Sequence, residues 1–162
     1  MQPSQFSLVP TLRAPVPAPP LPHRACPIGF APGTRIATVW GARPVEHLQA
    51  GDLLRDADGQ IVELRSLKCA LAPADTLVLL SPGSASDLES TLIVGAGQEL
   101  LLGDWRSHIL FDGPVMAPAR AFVDGVQIRA GMRRATRLYQ LGCDEDRIVL
   151  ANRLRALVPG AR

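Results

Sequence analysis

From Phe30 onward the chain consists of short apolar runs separated by turn residues. Runs of this length predict β-strands, at Thr34–Val39, Leu53–Arg55, Ile61–Leu67, Thr76–Leu80, Thr91–Val94, Glu99–Leu102, His108–Phe111 and Arg137–Leu141. Asp-Gly pairs stand between runs at residues 58–59, 112–113 and 124–125, where glycine supplies the positive φ that tight hairpins require. Since no amphipathic run of helical length stands out, the pattern predicts an all-β fold of many short strands. Residues 150–158 fit either a short helix or a final strand.

Residues 1–28 have a different character, because they hold eight of the fifteen prolines. Proline lacks a backbone N–H, so this segment predicts an extended polyproline II arm in front of a folded domain at residues 29–162. The arm is either a disordered leader or a strap that binds a protein partner. In the second case the contacts come from its apolar and proline side chains, Phe6, Leu8, Val9, Pro15, Pro17, Pro19 and Pro20.

Composition narrows the classes of partner and location. Hydrophobic residues make up 47% of the chain, enough for a packed core, whereas aromatics make up only 4% and offer few platforms for stacking bases. The net charge of +2 gives no reason to expect nucleic acid, and the arginines of residues 129–137 predict a solvated loop. No secretory signal and no apolar stretch of membrane-spanning length is present, and the basic residues other than Lys68 are all arginine. These features favour the cytoplasm of a bacterium, with the protein either free or peripheral on a larger complex.

Four sequence blocks carry a resemblance to a known family. Phe30-Ala31-Pro32-Gly33-Thr34 leads to Gly51-Asp52; Trp105–Phe111 follows; then come Val115–Gly125 and Ile148–Ala151. In this order the blocks resemble the bacterial subfamily of Hint (hedgehog/intein) domains, which are self-cleaving modules. The resemblance covers about residues 29–152 and implies a compact, horseshoe-type Hint-like β-fold.

The resemblance also implies where chemistry would lie. Active members place a cysteine nucleophile directly before the Phe-x-Pro-Gly-Thr turn, and this chain has Gly29 there. They assist the attack with a Thr/Ser-x-x-His motif, and the matching positions are Gly95 and Gln98. Glutamine can form hydrogen bonds but cannot shuttle a proton near neutral pH. Where later histidines are common, the chain has Gln140 and Asp146.

The chain contains other side chains that could act as a nucleophile or as a metal ligand. Cys26 is the fallback nucleophile, although Pro27 follows it and a three-residue slip would move the attacked carbonyl by roughly 10 Å. Thr34 and Thr38 are interpreted as strand residues, and Cys69 and Cys143 as small core side chains. The remaining candidates are the three histidines His23, His47 and His108, no two of which lie at ligand spacing. The sequence therefore predicts no metal site, disulfide framework or cofactor.

Together these features predict a non-catalytic Hint-like domain that acts as a structural or interaction subunit of a larger bacterial assembly. One alternative is an enzyme, in which residual self-cleavage uses Cys26. The other is a binder of a small ligand or peptide in the former active-site cleft near Gln98.

Overall fold

In the computed structural model of the protein, residues 26–103 and 112–160 are described. Within these ranges the chain forms only β-strands and three short 3₁₀ helices, which confirms the predicted all-β class. The strands are β1 (Arg35–Thr38), β2 (Gly41–Pro44), β3 (Leu53–Arg55), β4 (Ile61–Glu63), β5 (Ser66–Ala72), β6 (Leu77–Leu80), β7 (Leu92–Gly95), β8 (Glu99–Leu102), β9 (Val115–Pro118), β10 (Ile128–Ala130), β11 (Thr136–Gly142), β12 (Arg147–Ala151) and β13 (Leu154–Val158). The 3₁₀ helices are Val45–His47, Ala74–Thr76 and Ala119–Phe122. The proline-rich arm up to residue 25 and the predicted strand His108–Phe111 lie outside the described residues.

The strands form two curled layers. The larger sheet has the order β4-β3-β1-β12-β13-β8-β9, with β2 paired to β1. The second layer consists of β10-β6-β7 and the antiparallel pair β11-β5. Phe30 bridges the two parts of this layer, because it pairs with Val94 of β7 and with Tyr139 of β11. A core of buried Leu, Val, Ile and Ala lies between the layers, as the low aromatic content requires.

The predicted single strand Ile61–Leu67 is wrong. It divides into β4 and β5, because the chain changes partners between them. The Leu64 N–H donates to the Asp52 carbonyl (2.8 Å), on the β3 side, whereas the Arg65 N–H donates to the Gly142 carbonyl (2.8 Å), next to β11. The apolar pattern does not reveal such a switch, because Val62, Leu64 and Leu67 on either side of it pack against one core.

The C-terminal residues form a strand, not a helix. Ala151 pairs with Leu154 across a two-residue turn in which Asn152 and Arg153 have φ values of 48° and 71°. Positive φ at both central residues matches a type I′ hairpin turn, which suits the twist of the flanking strands. In β13, Leu154, Ala156 and Val158 are buried and Arg155 is exposed, which is the alternation expected of a strand with one face on the core.

Among the described residues, no helix has the length and apolar character needed to cross a membrane.

Candidate functional site

Residues 26–31, called here the entry segment, run through the middle of the second layer. On one side they pair with β7, through hydrogen bonds from Ala31 N–H to the Ile93 carbonyl (3.0 Å) and from Gly95 N–H to the Gly29 carbonyl (3.1 Å). On the other side Phe30 and Tyr139 of β11 exchange two backbone hydrogen bonds, of 3.0 and 2.8 Å. The Ile28–Gly29 peptide bond, at the position where the sequence resemblance implied the reaction, is therefore held within a sheet.

Gln98 lies directly on this peptide bond. Its Oε1 accepts a hydrogen bond from the Gly29 N–H (3.1 Å), and its side chain is buried, with the residue only 3% exposed. Its Nε2 donates to the carbonyls of Glu99 (3.1 Å) and Leu157 (2.8 Å). Since two carbonyls face Nε2 and an N–H faces Oε1, the network itself assigns the orientation of the carboxamide. Gln98 thus ties the entry segment to β8 and β13.

The turn that carries Gln98 follows from the local sequence. Gly95 ends β7 and Glu99 begins β8, so residues 96–98 form a tight connection closed by a hydrogen bond from Gln98 N–H to the Gly95 carbonyl (2.9 Å). The Gln98 carbonyl in turn accepts from the Ala119 N–H (2.8 Å) after β9. These backbone bonds fix the direction of the Gln98 side chain toward the entry segment.

Gly29 occupies a conformation that favours glycine. It is buried with φ at +128°, and a Cβ placed on it would lie 2.8 Å from the Tyr139 carbonyl oxygen, closer than real Cβ atoms come. A side chain at this position requires both a change of φ and a shift of β11. The position therefore lacks a nucleophile and, with the entry segment on its observed path, also lacks room for one.

The backbone of the entry segment packs closely against two more glycines. A Cβ on Gly95 would collide with the Pro27 carbonyl oxygen, and a Cβ on Gly97 would lie 2.5 Å from the Cys26 carbonyl oxygen. The Gly97 N–H donates to the Pro27 carbonyl (3.0 Å). The chain before Gly29 thus occupies the space that a hydroxyl side chain at residue 95 would need. Sequence reasoning missed Gly97, although two glycines at alternate positions near a strand end indicate a close backbone approach.

The threonine hydroxyls near the start of the domain are already engaged. Thr34 Oγ1 donates to the Ala31 carbonyl (2.7 Å), and Thr38 Oγ1 donates to the Gly41 carbonyl (2.6 Å). Thr38 lies at the end of β1, whereas Thr34 precedes it in the turn. Both side chains therefore close local turns.

The three cysteines lie in different environments. Cys143 is buried as predicted, and burial raises the pKa of its thiol. The expectation that Cys69 is a core side chain is wrong, because Cys69 is exposed on β5, most of which faces outward. It pairs with Tyr139 of the neighbouring strand β11, and the pKa of Tyr139 is raised by burial and by a hydrogen bond to Cys69. Cys26 is partly buried at the start of the entry segment.

The other predicted positions do not converge on Gln98. His47 is exposed in a 3₁₀ helix, His108 and His23 lie outside the described residues, and Gln140 on β11 lies beside the entry segment. Asp146 instead accepts a hydrogen bond from the Gly160 N–H (2.7 Å) near the C-terminus. In residues 26–103 and 112–160 no group of three or more His, Cys, Asp or Glu side chains is placed to hold a metal ion. At Gly29 the structure places the carboxamide of Gln98, which forms a hydrogen bond with the backbone N–H (3.1 Å).

An apolar groove of about 710 Å³ opens beside the entry segment. Cys26, Pro27 and Ile28 form part of its wall, and β5, β6 and β11 supply much of the remainder, including Leu71, Leu77 and Leu138. Polar groups lie mainly at its rim, at Lys68, Asp75 and Arg120. The groove therefore presents apolar surface directly in front of the Ile28–Gly29 bond.

Comparison with known proteins gave matches at the level of family and fold. The sequence model of one family, described as Hint domain, matches residues 28–157. No match was found among curated proteins. Among solved structures, the crystal structure of the gp41-1 intein is similar at a TM-score of 0.53 and 11% identity, covering 80% of this chain and 98% of that one. The solution structure of a bacterial intein-like domain from Clostridium thermocellum is similar at 0.50 and 13% identity, covering 80% and 97%. At these identities the similarity to the solved structures supports the fold alone.

Proposed function

The chain belongs to the Hint domain family, and we propose that it is a non-catalytic member that serves as a structural or interaction subunit. The observation that carries the proposal is the pairing of Gln98 with the Gly29 amide (3.1 Å) at the peptide bond that active relatives would cleave. A reaction at this bond needs a nucleophile to attack the Ile28 carbonyl and an acid to protonate the Gly29 nitrogen as it leaves. Gly29 has no side chain for the attack, and the Gln98 atom that faces the Gly29 nitrogen is a hydrogen-bond acceptor.

Gln98 supports this proposal through the direction of its hydrogen bonds. Toward the Gly29 nitrogen it presents an acceptor, which stabilises the intact amide and has no proton to give. Both of its N–H groups are engaged by the Glu99 and Leu157 carbonyls. A flip of the carboxamide would break these bonds without creating an acid, since an amide does not lose a proton near neutral pH. The residue therefore suits a role as a tie.

The absence of a substitute nucleophile at the bond supports the same proposal. Gly29 has no side chain, and the hydroxyls of Thr34 and Thr38 donate to backbone carbonyls within local turns. In a cooperative catalytic unit the loss of one member already removes most of the rate advantage. Loss of nucleophile, hydroxyl and histidine together leaves the scaffold without its reaction.

Intact-mass measurement tests the loss of cleavage. We expect the purified full chain to keep its full mass after incubation with a thiol or with hydroxylamine, which captures a thioester. Chains shortened to begin at residue 26 or residue 29 serve as mass standards, so that a small cleaved fraction is detected. A fragment that begins at either position, released only from folded protein, contradicts the proposal. A fragment that begins at Cys26 would favour self-cleavage by that thiol.

The interaction role rests on the predicted arm, and we propose that Phe6, Leu8 and Val9 contact a protein partner in the bacterial cell. We expect the full chain, tagged and produced at its native level, to elute with a partner at a fixed ratio. Leu8→Asp should reduce that ratio, whereas Leu12→Asp, a charge outside the proposed contacts, should not. Elution of the full chain alone as a monomer contradicts the assembly role.

The groove favours a second candidate function, the binding of a peptide or small ligand. Gln98 is 3% exposed beneath the entry segment, so a ligand would contact the groove wall instead of Gln98. Leu71→Asp, placed on an exposed wall residue, should then weaken ligand binding, and Ile61→Asp on β4 is the matched surface control. Equal effects of the two substitutions contradict this candidate.

A further inference from the structure

The apolar groove beside the entry segment exposes apolar side chains that a bound segment or partner could cover. Leu71 on its β5 wall is 68% exposed. Leu77 and Leu138 also line the groove, although most of each side chain is buried in the domain. A concave surface of about 710 Å³ with few polar groups is a typical binding site, because covering it removes apolar area from water. Its chemistry selects an apolar occupant that makes few hydrogen bonds.

We propose that residues 14–25 of the arm dock in this groove of their own chain in a polyproline II path. The first argument is continuity. Cys26, Pro27 and Ile28 form part of the groove wall, so the chain enters the described structure at the groove itself. At about 3.1 Å per residue, residues 14–25 span about 37 Å of polyproline II chain, so several of them can lie along the groove.

The second argument is backbone chemistry. A groove walled by apolar side chains cannot satisfy the N–H groups of an ordinary extended peptide, and a buried unsatisfied N–H is costly. Proline has no N–H, and residues 14–22 read Ala-Pro-Val-Pro-Ala-Pro-Pro-Leu-Pro. This segment brings apolar rings, Val16 and Leu21 into the groove with few donors left without partners.

The third argument is the tether. Because the segment is covalently joined to the groove wall at Cys26, its effective concentration at the groove is in the millimolar range expected for a short tether, so even a weak contact is largely occupied. A separate protein or a second copy would have to exceed this concentration to displace it. Docking of residues 14–25 leaves Phe6, Leu8 and Val9 beyond the groove, where they remain available to a partner. The inference does not depend on the loss of cleavage, because it concerns the uncleaved chain.

Photo-crosslinking in the full chain tests this inference. Leu71→p-benzoylphenylalanine places the probe on an exposed wall residue, so the substitution should not disturb the fold. We expect irradiation to join position 71 to a peptide within residues 14–25 of the same molecule, with a yield that does not change on dilution. The same probe at Ile61, which is 61% exposed on β4, should give no link to the arm.

Substitutions in the arm test which of its residues lie in the groove. Leu21→Asp should lower the cross-link yield by about tenfold, the effect expected when a buried leucine becomes charged. Leu12→Asp, a matched change outside both the docked residues and the proposed partner contacts, should leave the yield unchanged. A yield that rises with protein concentration would assign the groove to the arm of a second copy and overturn the proposal. A link to another segment, the absence of a link, or equal effects of the two substitutions would overturn it as well.

Discussion

Removal of the Gln98 side chain should destabilise the domain far more than removal of a surface glutamine. In Gln98→Ala the buried Gly29 N–H loses its acceptor, which costs about 1–3 kcal/mol. The lost burial of the side-chain methylene adds about 1 kcal/mol. The free energy of unfolding should therefore fall by about 2–4 kcal/mol, a large part of the total stability of a domain of this size.

Equilibrium urea unfolding, followed by circular dichroism, measures this loss. With a slope of about 2 kcal/mol per molar urea, the midpoint should fall by about 1–2 M. Gln49→Ala is the matched control, because Gln49 is exposed, and it should change the free energy of unfolding by less than about 0.5 kcal/mol. If the two variants unfold at the same urea concentration, Gln98 does not tie the entry segment to the sheet.

Gln98→Glu tests the direction of the hydrogen bonds. The shape is kept and an acceptor still faces Gly29, but a carboxylate faces the Glu99 and Leu157 carbonyls without a donor. Burial and these oxygens should raise the pKa of the new carboxyl above its usual value of about 4.3. A raised folded-state pKa means that the stability loss is largest at pH above that pKa and shrinks as the pH falls through it. The difference from the wild type should therefore be larger at pH 7 than at pH 5, whereas the Gln98→Ala difference should stay flat. The opposite trend for Gln98→Glu would show that position 98 faces donors.

Three further predictions follow from single contacts. Gly95→Ser should lower the urea midpoint strongly, because its Cβ meets the backbone of the entry segment, while Gly103→Ser should not. A hydrogen bond from the Gly33 N–H lowers the pKa of Glu46. Glu46→Gln should therefore lower the free energy of unfolding by up to about 1 kcal/mol at neutral pH, and this loss should vanish as the pH falls through the Glu46 pKa. A loss that grows in acid contradicts this. Peptide-resolved alkylation should label exposed Cys69 quickly in the folded chain and buried Cys143 only in denaturant; equal rates contradict the assigned burial.

Strand positions could be predicted where local pattern and turn residues agree. β3 and β8 begin and end at the predicted residues, because each is an apolar run bounded by polar or turn residues. β2 escaped prediction because Gly41–Pro44 contains no large apolar side chain and owes its strand form to pairing with β1. The break between β4 and β5 also depends on distant partners. Exposed Cys69 belongs to the same class, since only the pairing of β5 shows which of its faces is open.

The site could be predicted as a set of positions but not as a set of contacts. The resemblance drew attention to Gly29, Gly95 and Gln98, which are far apart in sequence. The hydrogen bond between Gly29 and Gln98 spans 69 residues, and the alternating glycines at 95 and 97 acquire their meaning only when the entry segment is in place. Composition and periodicity carry no information about such a contact, because it depends on how two strands of one layer are spaced by a third segment.

The three glycines near the Ile28–Gly29 bond cannot be understood one at a time. Gly95 and Gly97 leave space that the Pro27 and Cys26 carbonyls fill, and this path brings Gly29 to a φ of +128° beside the Tyr139 carbonyl. A hydroxyl side chain at residue 95 would push the entry segment outward, and a thiol side chain at residue 29 would require a different φ at that residue. The first would collide with the Pro27 carbonyl and the second with the Tyr139 carbonyl. The strain of a positive φ alone costs about 1–2 kcal/mol for a residue with a Cβ. Because the backbone of the entry segment fills the space beside these glycines, its path and the absence of side chains at residues 29, 95 and 97 form one coupled feature, with Gln98 as the bond that holds it.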